Sequence, residues 1–471
     1  MSSINTHAPT RQPSAAGSRL ARFLGGALRT LRLALPKLGV GWMFALLTSN
    51  FNRIAIHDLG VAAVLVTVMI GMHHFLSPFQ VIFGRLADRH PLLGLRRTPY
   101  FLLGSLLSSL VFLALPALAV AMGSGSVLAV IGGFGLLVLF GIGIAASGDS
   151  HHALIAEVTS PQSRGGVVAV VWTFTIVSAI AAAIVIKVVM GDTYTPAKMQ
   201  SLYNLTPLIV LGTGLLGLLG IEKRKSKAEL AQALARSQQV IPAGNAVTAA
   251  LSLLRQNSQV RAFFGFVFLS ILGIFLQDAV LEVFGADVFG MTVKETTSFT
   301  QTWGGGVLIG MIIMGLLSSL IPLSKKLITT IGGAGTAVGL GLLTVCAFSQ
   351  QRTLLNPALL LMGFSTGLYN VGALSLMMDM TVEGATGLYM GLWGMAQAFG
   401  TGSASVLSGA LKTALIETGL LSAQLGYTAI FGLETVLMVL GIALLRAVSV
   451  EEFRGLTRED LVRSMEVSAV A

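Results

Sequence analysis

The sequence predicts an all-α membrane protein with twelve transmembrane helices arranged as two six-helix bundles. Three observations carry that expectation. Only 11% of the 471 residues are charged, against about 25% in soluble domains, so the chain cannot cover a water-facing surface of its size. Twelve apolar segments close to the ~20 residues that span a bilayer can be placed, near 37–58, 60–83, 99–121, 126–148, 166–190, 203–221, 261–285, 299–320, 327–348, 357–379, 387–412 and 426–446. The longest polar interruption, 222–260, divides six of them from six. The expected organisation is a tail over 1–36, a first bundle over 37–221, a central loop over 222–260, a second bundle over 261–446 and a tail over 447–471.

The distribution of charge fixes the expected orientation. The net charge of +10 could suggest nucleic acid, but with the N-terminus inside, 24 of the 30 Lys and Arg residues fall on the inner side. Arg53, Lys187, Lys198, Lys294, Arg352 and Lys412 are left in or near the outer side. That asymmetry is the one that orients membrane proteins, so both termini are expected in the cytoplasm and nucleic acid is not an expected partner. The high glycine content follows from close helix packing. A single cysteine, Cys346, in an apolar run excludes disulfides within the chain and thiolate metal clusters.

Taken in order, residues 1–17 are rich in Ser, Thr, Pro and Ala and read as a disordered tail. From Arg19 to Leu35, Leu20, Phe23, Leu24, Ala27, Leu28 and Leu31 recur at helical spacing opposite Arg19, Arg22 and Arg29. The segment is either an amphipathic helix on the cytoplasmic leaflet or the basic flank of helix 1. The first apolar run begins after 36 residues and continues past Asn52 and Arg53 without an evident small-residue cleavage site, so it reads as a span and not a secretory signal.

Helix 1 carries Asn52, Arg53 and Asp58 near its outer end, and helix 7 carries Gln277, Asp278 and Glu282 at nearly the same depth. Ionisable groups in hydrocarbon are expensive unless compensated. Either Arg53 pairs with Asp278 or Glu282, or one carboxylate stays unpaired and couples transport to protons. His73 and His74 lie in mid-span of helix 2, and His151 and His152 at the inner end of helix 4 beside Asp149. Adjacent helical residues point about 100° apart, so at most one of each pair would face a given ligand. Pro78, Pro116 and the run Gly304, Gly305, Gly306 read as kinks or close-packing points.

The two halves resemble one another. Helix 1 and helix 7 start 222 residues apart. At that offset Glu157, Val158 and Thr159 align with Asp379, Met380 and Thr381, and Arg164-Gly165 with Thr386-Gly387. Trp172 and Trp393 fall within one residue of the same register. Internal repeats of this kind build many transporters.

The loop GRLADRHPLLGLRRTPY, Gly84 to Tyr100, resembles the signature loop of the major facilitator superfamily, with Gly84, Asp88, Arg89, Gly94, Arg96 and Arg97 in its positions and a longer spacer between Arg89 and Gly94. The resemblance implies that this loop, with Glu157 and Arg164 and with Asp379 in the second half, forms a cytoplasmic gate. A carboxylate at a helix end can exchange cations as two bundles rock.

Four segments carry a more specific resemblance. They are LTSNFNRIAIHDLGV in helix 1, HHFLSPFQVIFGRLADRHPLLGLRRTPY from helix 2, LQDAVLEVFGADVFGMTVKETT in helix 7 and VGALSLMMDMTVEGATGLYMGLWGMAQA across helices 10 and 11. From about Leu35 to Leu445 the chain resembles the PucC-type, or bacteriochlorophyll delivery, family. The resemblance implies a (bacterio)chlorophyll handling or delivery factor assisting assembly of light-harvesting or photosystem complexes, in the inner, intracytoplasmic or thylakoid membrane of a phototroph. It implies as partners membrane lipid, (bacterio)chlorophyll and antenna apoproteins or pigment synthase. No tightly bound cofactor is expected, chlorophyll or bacteriochlorophyll being the ligand.

Chlorophyll magnesium takes an axial ligand through nitrogen or oxygen, as suits a hard cation, and His73 or His74 is the best imidazole candidate. The expected cavity residues are Asn52, Arg53, Asp58, His73, His74, Gln277, Asp278 and Glu282. Neither a phosphate loop nor a nucleophile-and-base arrangement occurs, so an enzyme is not expected. The alternative is a proton-coupled transporter of a small amphipathic solute, with Asp278 or Glu282 as the coupling group; a third reading is an uncoupled lipid or pigment scramblase.

Overall fold

The computed structural model describes residues 15–76, 83, 86–87, 90–226, 228–229, 252–321, 323–381 and 386–454. The tail before residue 15, Pro78, and the predicted gate residues Gly84, Asp88 and Arg89 lie outside the described residues, as do most of the central loop and the end of the C-terminal tail.

Among the described residues ten helices are long and apolar enough to cross a membrane. A shorter apolar helix, Ala63–Phe75, and the 27-residue helix Thr386–Lys412 occupy the positions expected for helices 2 and 11. In chain order the first half contains α1 (Ala15–Ala34), α2 (Pro36–Ala45), α3 (Ala63–Phe75), α4 (Thr98–Gly123), α5 (Val127–Val158), α6 (Pro161–Met190), α7 (Pro196–Tyr203) and α8 (Thr206–Leu218). The second half contains α9 (Ser258–Phe275), α10 (Leu281–Phe289), α11 (Val293–Leu320), α12 (Lys325–Ser349), α13 (Leu355–Asp379), α14 (Thr386–Lys412), α15 (Ala423–Arg446) and the short α16 (Val450–Arg454).

Several helix starts are written locally in the sequence. Ser126, Thr195, Asn257, Ser324 and Ser422 each accept a backbone N–H of the turn they open, the N-cap arrangement that satisfies donors with no partner inside the helix. Thr292 and Glu295 form a reciprocal capping box at the start of α11. Pro36 at the start of α2 fits a first-turn position, where its missing N–H has no partner to lose.

The segment before helix 1 is a helix, and it joins α2 almost directly, so that Leu24–Asp58 runs as one 35-residue span. Leu24, Leu28 and Leu31 of α1 are exposed, whereas Leu33 and Ala34 pack into a cluster with Phe101, Leu154 and Val171. Arg32 donates to the carbonyl oxygens of Leu216 and Leu219 at the end of α8, where a cation meets the negative end of a helix.

Two interruptions position the polar residues. Helix 1 continues beyond α2 through π-helical turns at Leu46–Phe51 and Ile54–Asp58. The wider turn shifts the register of the side chains, and Ser49, Asn50, Asn52 and Arg53 are all buried. Helix 7 is broken between α9 and α10 by a 3-10 turn, Gln277–Ala279, and ends at Gly290 in the left-handed region with φ +60, the conformation glycine supplies at helix ends.

Each half has its own hydrophobic core. In the first, α2 packs on α6 and α8, α4 on α5, and α3 on α5. In the second, α9 packs on α14 and α15, and α12 and α11 on α13. The halves meet through α6 against α11 and α3 against α14. Glycines allow the tightest approaches: a Cβ on Gly306 would stand 2.9 Å from the Leu360 carbonyl oxygen and the Phe364 nitrogen, and Gly363 and Gly367 of α13 face the backbone of α11 in return. Of the Gly304–Gly306 run, Gly306 packs on α13 and Gly304 on Ile180 of α6, as small residues do in other membrane bundles, whereas Gly305 faces open space. The start of α4 meets the segment after α8 through Glu222, and the starts of α9 and α12 meet the end of α15 through Gln259 and Lys326; these helix ends are called here the terminal face.

Candidate functional site

At the face opposite the termini, helix 1 meets helix 7 through polar side chains. Asn52 Nδ2 donates to the Ala279 carbonyl, which the break in helix 7 leaves available. Arg53, 3% exposed, donates through Nη2 to the Met291 carbonyl at 3.1 Å and through Nη1 to Asp58. The expected pairing of Arg53 with Asp278 or Glu282 is therefore corrected. The ion-pair partner of Arg53 comes from its own helix, because the π-helical turn at Ile54–Asp58 brings Asp58 back onto the guanidinium. Glu282 instead accepts from Thr300 Oγ1 of α11 at 3.3 Å, and Thr300 lies 2.6 Å from Ser49 Oγ across the two halves. Gln277 is buried with its Oε1 unpartnered among the described residues. Asp278 is partly accessible and forms no ion pair among them.

A second cluster, which sequence reading missed, reinforces the same face. Asp287 accepts from Tyr427 OH at 2.7 Å, lies 2.7 Å from His57 Nδ1 and is 3.5 Å from Lys412 Nζ. Lys412 also binds Glu417 at 3.0 Å, and Glu417 and Thr413 accept the backbone N–H groups of Ala63 and Val64 at the start of α3. Burial pushes the Asp287 carboxyl up, but the hydrogen bond from His57, the Lys412 charge and the Tyr427 hydroxyl outweigh it and hold the group below the usual carboxylate range. These bonds join the halves and close this end. The only sequence signal was the density of charge in short turns.

At the terminal face, Glu157 accepts from Arg96 Nη2 at 2.8 Å and Arg97 Nε at 2.9 Å, with Lys225 at 3.8 Å. Asp379, its counterpart in the repeat, takes Lys325 at 2.8 Å. Both carboxylates end a helix and bind cations at the start of the neighbouring one, so repeated sequence positions have repeated partners. Glu222, read from sequence only as part of the central loop, accepts the backbone N–H groups of Arg96, Arg97 and Thr98 at 2.6, 3.0 and 2.7 Å, capping α4. Arg164 lies in the first turn of α6.

His73 and His74 sit apart from both clusters, against Phe44 and Phe140. Their rings approach to 3.8 Å between centroids, closer than the 100° divergence of adjacent helical positions suggests. His73 is 5% exposed, and its Nδ1 contacts the Ile70 carbonyl. A carbonyl only accepts, so Nδ1 carries the proton and Nε2 presents a lone pair. That Nε2 is buried and has no hydrogen-bond partner among the described residues. It is the tautomer a magnesium-bearing pigment requires of an imidazole ligand.

Glu434, in the middle of α15, is another residue missed in sequence. It is fully buried and both its carboxyl oxygens lack a hydrogen-bond partner among the described residues. A cleft of about 430 Å³ lies outside these clusters, beside the start of α11. Its walls include Lys187, Asp192, Lys294, Glu295 and Arg352, and the Arg352–Glu295 pair at 2.6 Å crosses its edge.

A family model described as PUCC protein matches residues 50–453. The chain belongs to the PucC family. A relative named "Bacteriochlorophyll synthase 44.5 kDa chain" from Rhodobacter capsulatus is 30% identical over 449 residues, covering 94% of this chain and 99% of that protein. "Protein PucC" of Rhodovulum sulfidophilum is 27% identical over 400 residues, covering 82% and 85%. Among solved structures, a D-xylose-proton symporter superposes with TM-score 0.63 at 15% identity, over 87% of this chain and 96% of that one. A POT family transporter bound to a thioalcohol-conjugated peptide gives 0.63 at 13%, over 90% and 96%. The PucC-family chain therefore has the fold of major facilitator transporters and is a multi-pass integral membrane protein. Among the described residues of this PucC-family chain, Asn52, Arg53, Asp58 and Glu282 lie where helix 1 meets the second half, and His73 and His74 pack against Phe44 in the first half.

Proposed function

We propose that this chain is a (bacterio)chlorophyll handling or delivery factor that assists assembly of light-harvesting or photosystem complexes. Membership of the PucC family supports the substrate class. Within the molecule, the observation that carries the reading is the His73 ring, whose Nε2 lone pair is buried without a hydrogen-bond donor among the described residues. Such a nitrogen is suited to the axial position of a magnesium tetrapyrrole, with the aromatic rings of Phe44 and Phe140 beside it.

On this reading the chain is not an enzyme: it holds and presents pigment to nascent apoproteins. Antenna polypeptides or pigment synthase are its protein partners, and its membrane is the inner or intracytoplasmic membrane of a phototroph, with the terminal face towards the cytoplasm. The basic residues concentrated at that face support the orientation. Absorption spectroscopy of the protein purified in mild detergent tests the function. A red Qy band comigrating with the protein supports it.

A second reading, a proton-coupled transporter of a small amphipathic solute, is favoured by the partly accessible Asp278 four residues before buried Glu282, across the break in helix 7. Absence of pigment together with a substrate-dependent proton flux, lost in Asp278→Asn, would replace the first reading with this one.

A further inference from the structure

Lys37 enters the first half from the start of α2 and is 7% exposed. Its Nζ lies 3.5 Å from His152 Nε2 of α5 and 5.3 Å from the centre of the Trp172 ring of α6. Among the described residues it has no carboxylate partner. A cationic side chain inside a membrane bundle ordinarily pairs with an acid or marks a ligand path. Contact with an aromatic face recovers only part of the lost hydration, and His152 brings a ring nitrogen but no negative charge. Among the described residues Lys37 is thus a buried ammonium without a counter-charge.

The surroundings indicate what would supply it. Trp172 is 47% exposed and His152 is likewise exposed, while Lys37, which contacts both, is buried. The neighbouring wall is apolar, with Phe101, Leu154 and Val171 buried in one cluster. The second half does not repeat the feature: Trp393, the counterpart of Trp172, is fully buried and donates to the Met380 carbonyl at 3.1 Å. An open indole is therefore no requirement of the repeated fold.

We propose that Lys37, His152 and Trp172 form a site for the free carboxylate of a flat, largely apolar ligand. Resting on the pigment reading above, that ligand is a tetrapyrrole whose propionate is not esterified. The carboxylate would take Lys37 and the His152 ring nitrogen, and the macrocycle would lie on the open face of Trp172. The site then separates a pigment precursor with a free acid from the finished, esterified pigment, and places this chain upstream of the class of reaction that attaches an alcohol to the propionate.

The test uses the full-length protein in detergent with pheophorbide a and its methyl ester as probes, read by quenching of tryptophan fluorescence. The free acid is expected to bind at least tenfold more tightly than the ester, Lys37→Met to remove that preference, and Lys37→Arg to retain most of it. Trp172→Phe should remove most of the quenching. Lys37→Met deletes an uncompensated buried charge, so its melting temperature should not fall, and Lys37→Arg controls for any loss of fold. Equal binding of acid and ester by the unaltered protein, or a preference that survives in Lys37→Met, would overturn the site while leaving the pigment reading in place. Failure of both probes to bind the unaltered protein would overturn the pigment reading, and this site with it.

Discussion

His57 at the end of helix 1 and Asp287 after the break in helix 7 meet at 2.7 Å across the boundary between the two halves. Asp287 also takes Tyr427 and Lys412, so it ties three helices of the second half to one of the first. Asp287→Asn should lower stability by about 1.5–3 kcal/mol, the usual contribution of hydrogen bonds to a charged group. The pH dependence follows from the depressed ionisation of Asp287. A carboxylate held below its unfolded value of about 3.9 contributes stability that is fully present above that value and is lost as pH falls through the folded value. Thermal melting should therefore show an Asp287-dependent decline only below about pH 4, absent in Asp287→Asn. A difference between the two proteins that is already lost at pH 6 would contradict this assignment.

Glu222 binds three consecutive backbone N–H groups at the start of α4. Removing a cap of this kind costs about 0.5–2 kcal/mol. Glu222→Ala should lower the melting temperature and speed amide exchange at Arg96, Arg97 and Thr98, with no effect at the start of α12, where Ser324 provides the cap. Exchange rates that rise equally at both helix starts would show that Glu222 acts on the whole bundle.

Glu434 makes the opposite prediction. Its oxygens are buried without hydrogen-bond partners among the described residues, and an unsatisfied buried polar group costs about 1–3 kcal/mol. Glu434→Met keeps the side-chain length and removes the polar atoms, so it should raise the melting temperature, by an amount matching roughly 1–3 kcal/mol. A fall would mean that Glu434 has a partner of its own when the protein sits in lipid.

The architecture was legible because membrane helices announce themselves by length and composition: the breaks between spans follow Ser, Thr and Asn caps and polar loops that the sequence displays directly. The repeat offset that aligned Glu157 with Asp379 also led to equivalent ion pairs, with Arg96 and Arg97 in one half and Lys325 in the other. Partners on the opposite face were less legible. The choice of Asp58 over Glu282 for Arg53 depends on a π-helical turn, and no residue pattern in Ile54–Asp58 marks one. Glu222, Asp287 and Glu434 each looked ordinary in sequence, as a loop acid, a turn acid and a single charge in an apolar run. Their roles come from backbone groups and helices brought close by the fold.

The last prediction concerns His73. Its Nδ1 proton is committed to the Ile70 carbonyl, which leaves the buried Nε2 unprotonated and without a hydrogen-bond partner among the described residues. If this nitrogen takes the pigment magnesium, His73→Leu should abolish the ligand while preserving most of the packing against Phe44 and Phe140. His73→Gln should restore part of the binding, since an amide oxygen also suits a hard cation. His74→Leu should leave the ligation intact, because adjacent to His73 it serves as a packing ring on Phe44. Resonance Raman or absorption spectra of the pigment-loaded proteins distinguish the ligands directly, through the coordination state of the magnesium. A coordination signature unchanged in His73→Leu but lost in His74→Leu would transfer the ligand role to His74. One unchanged in both variants would assign the magnesium to a ligand outside the pair.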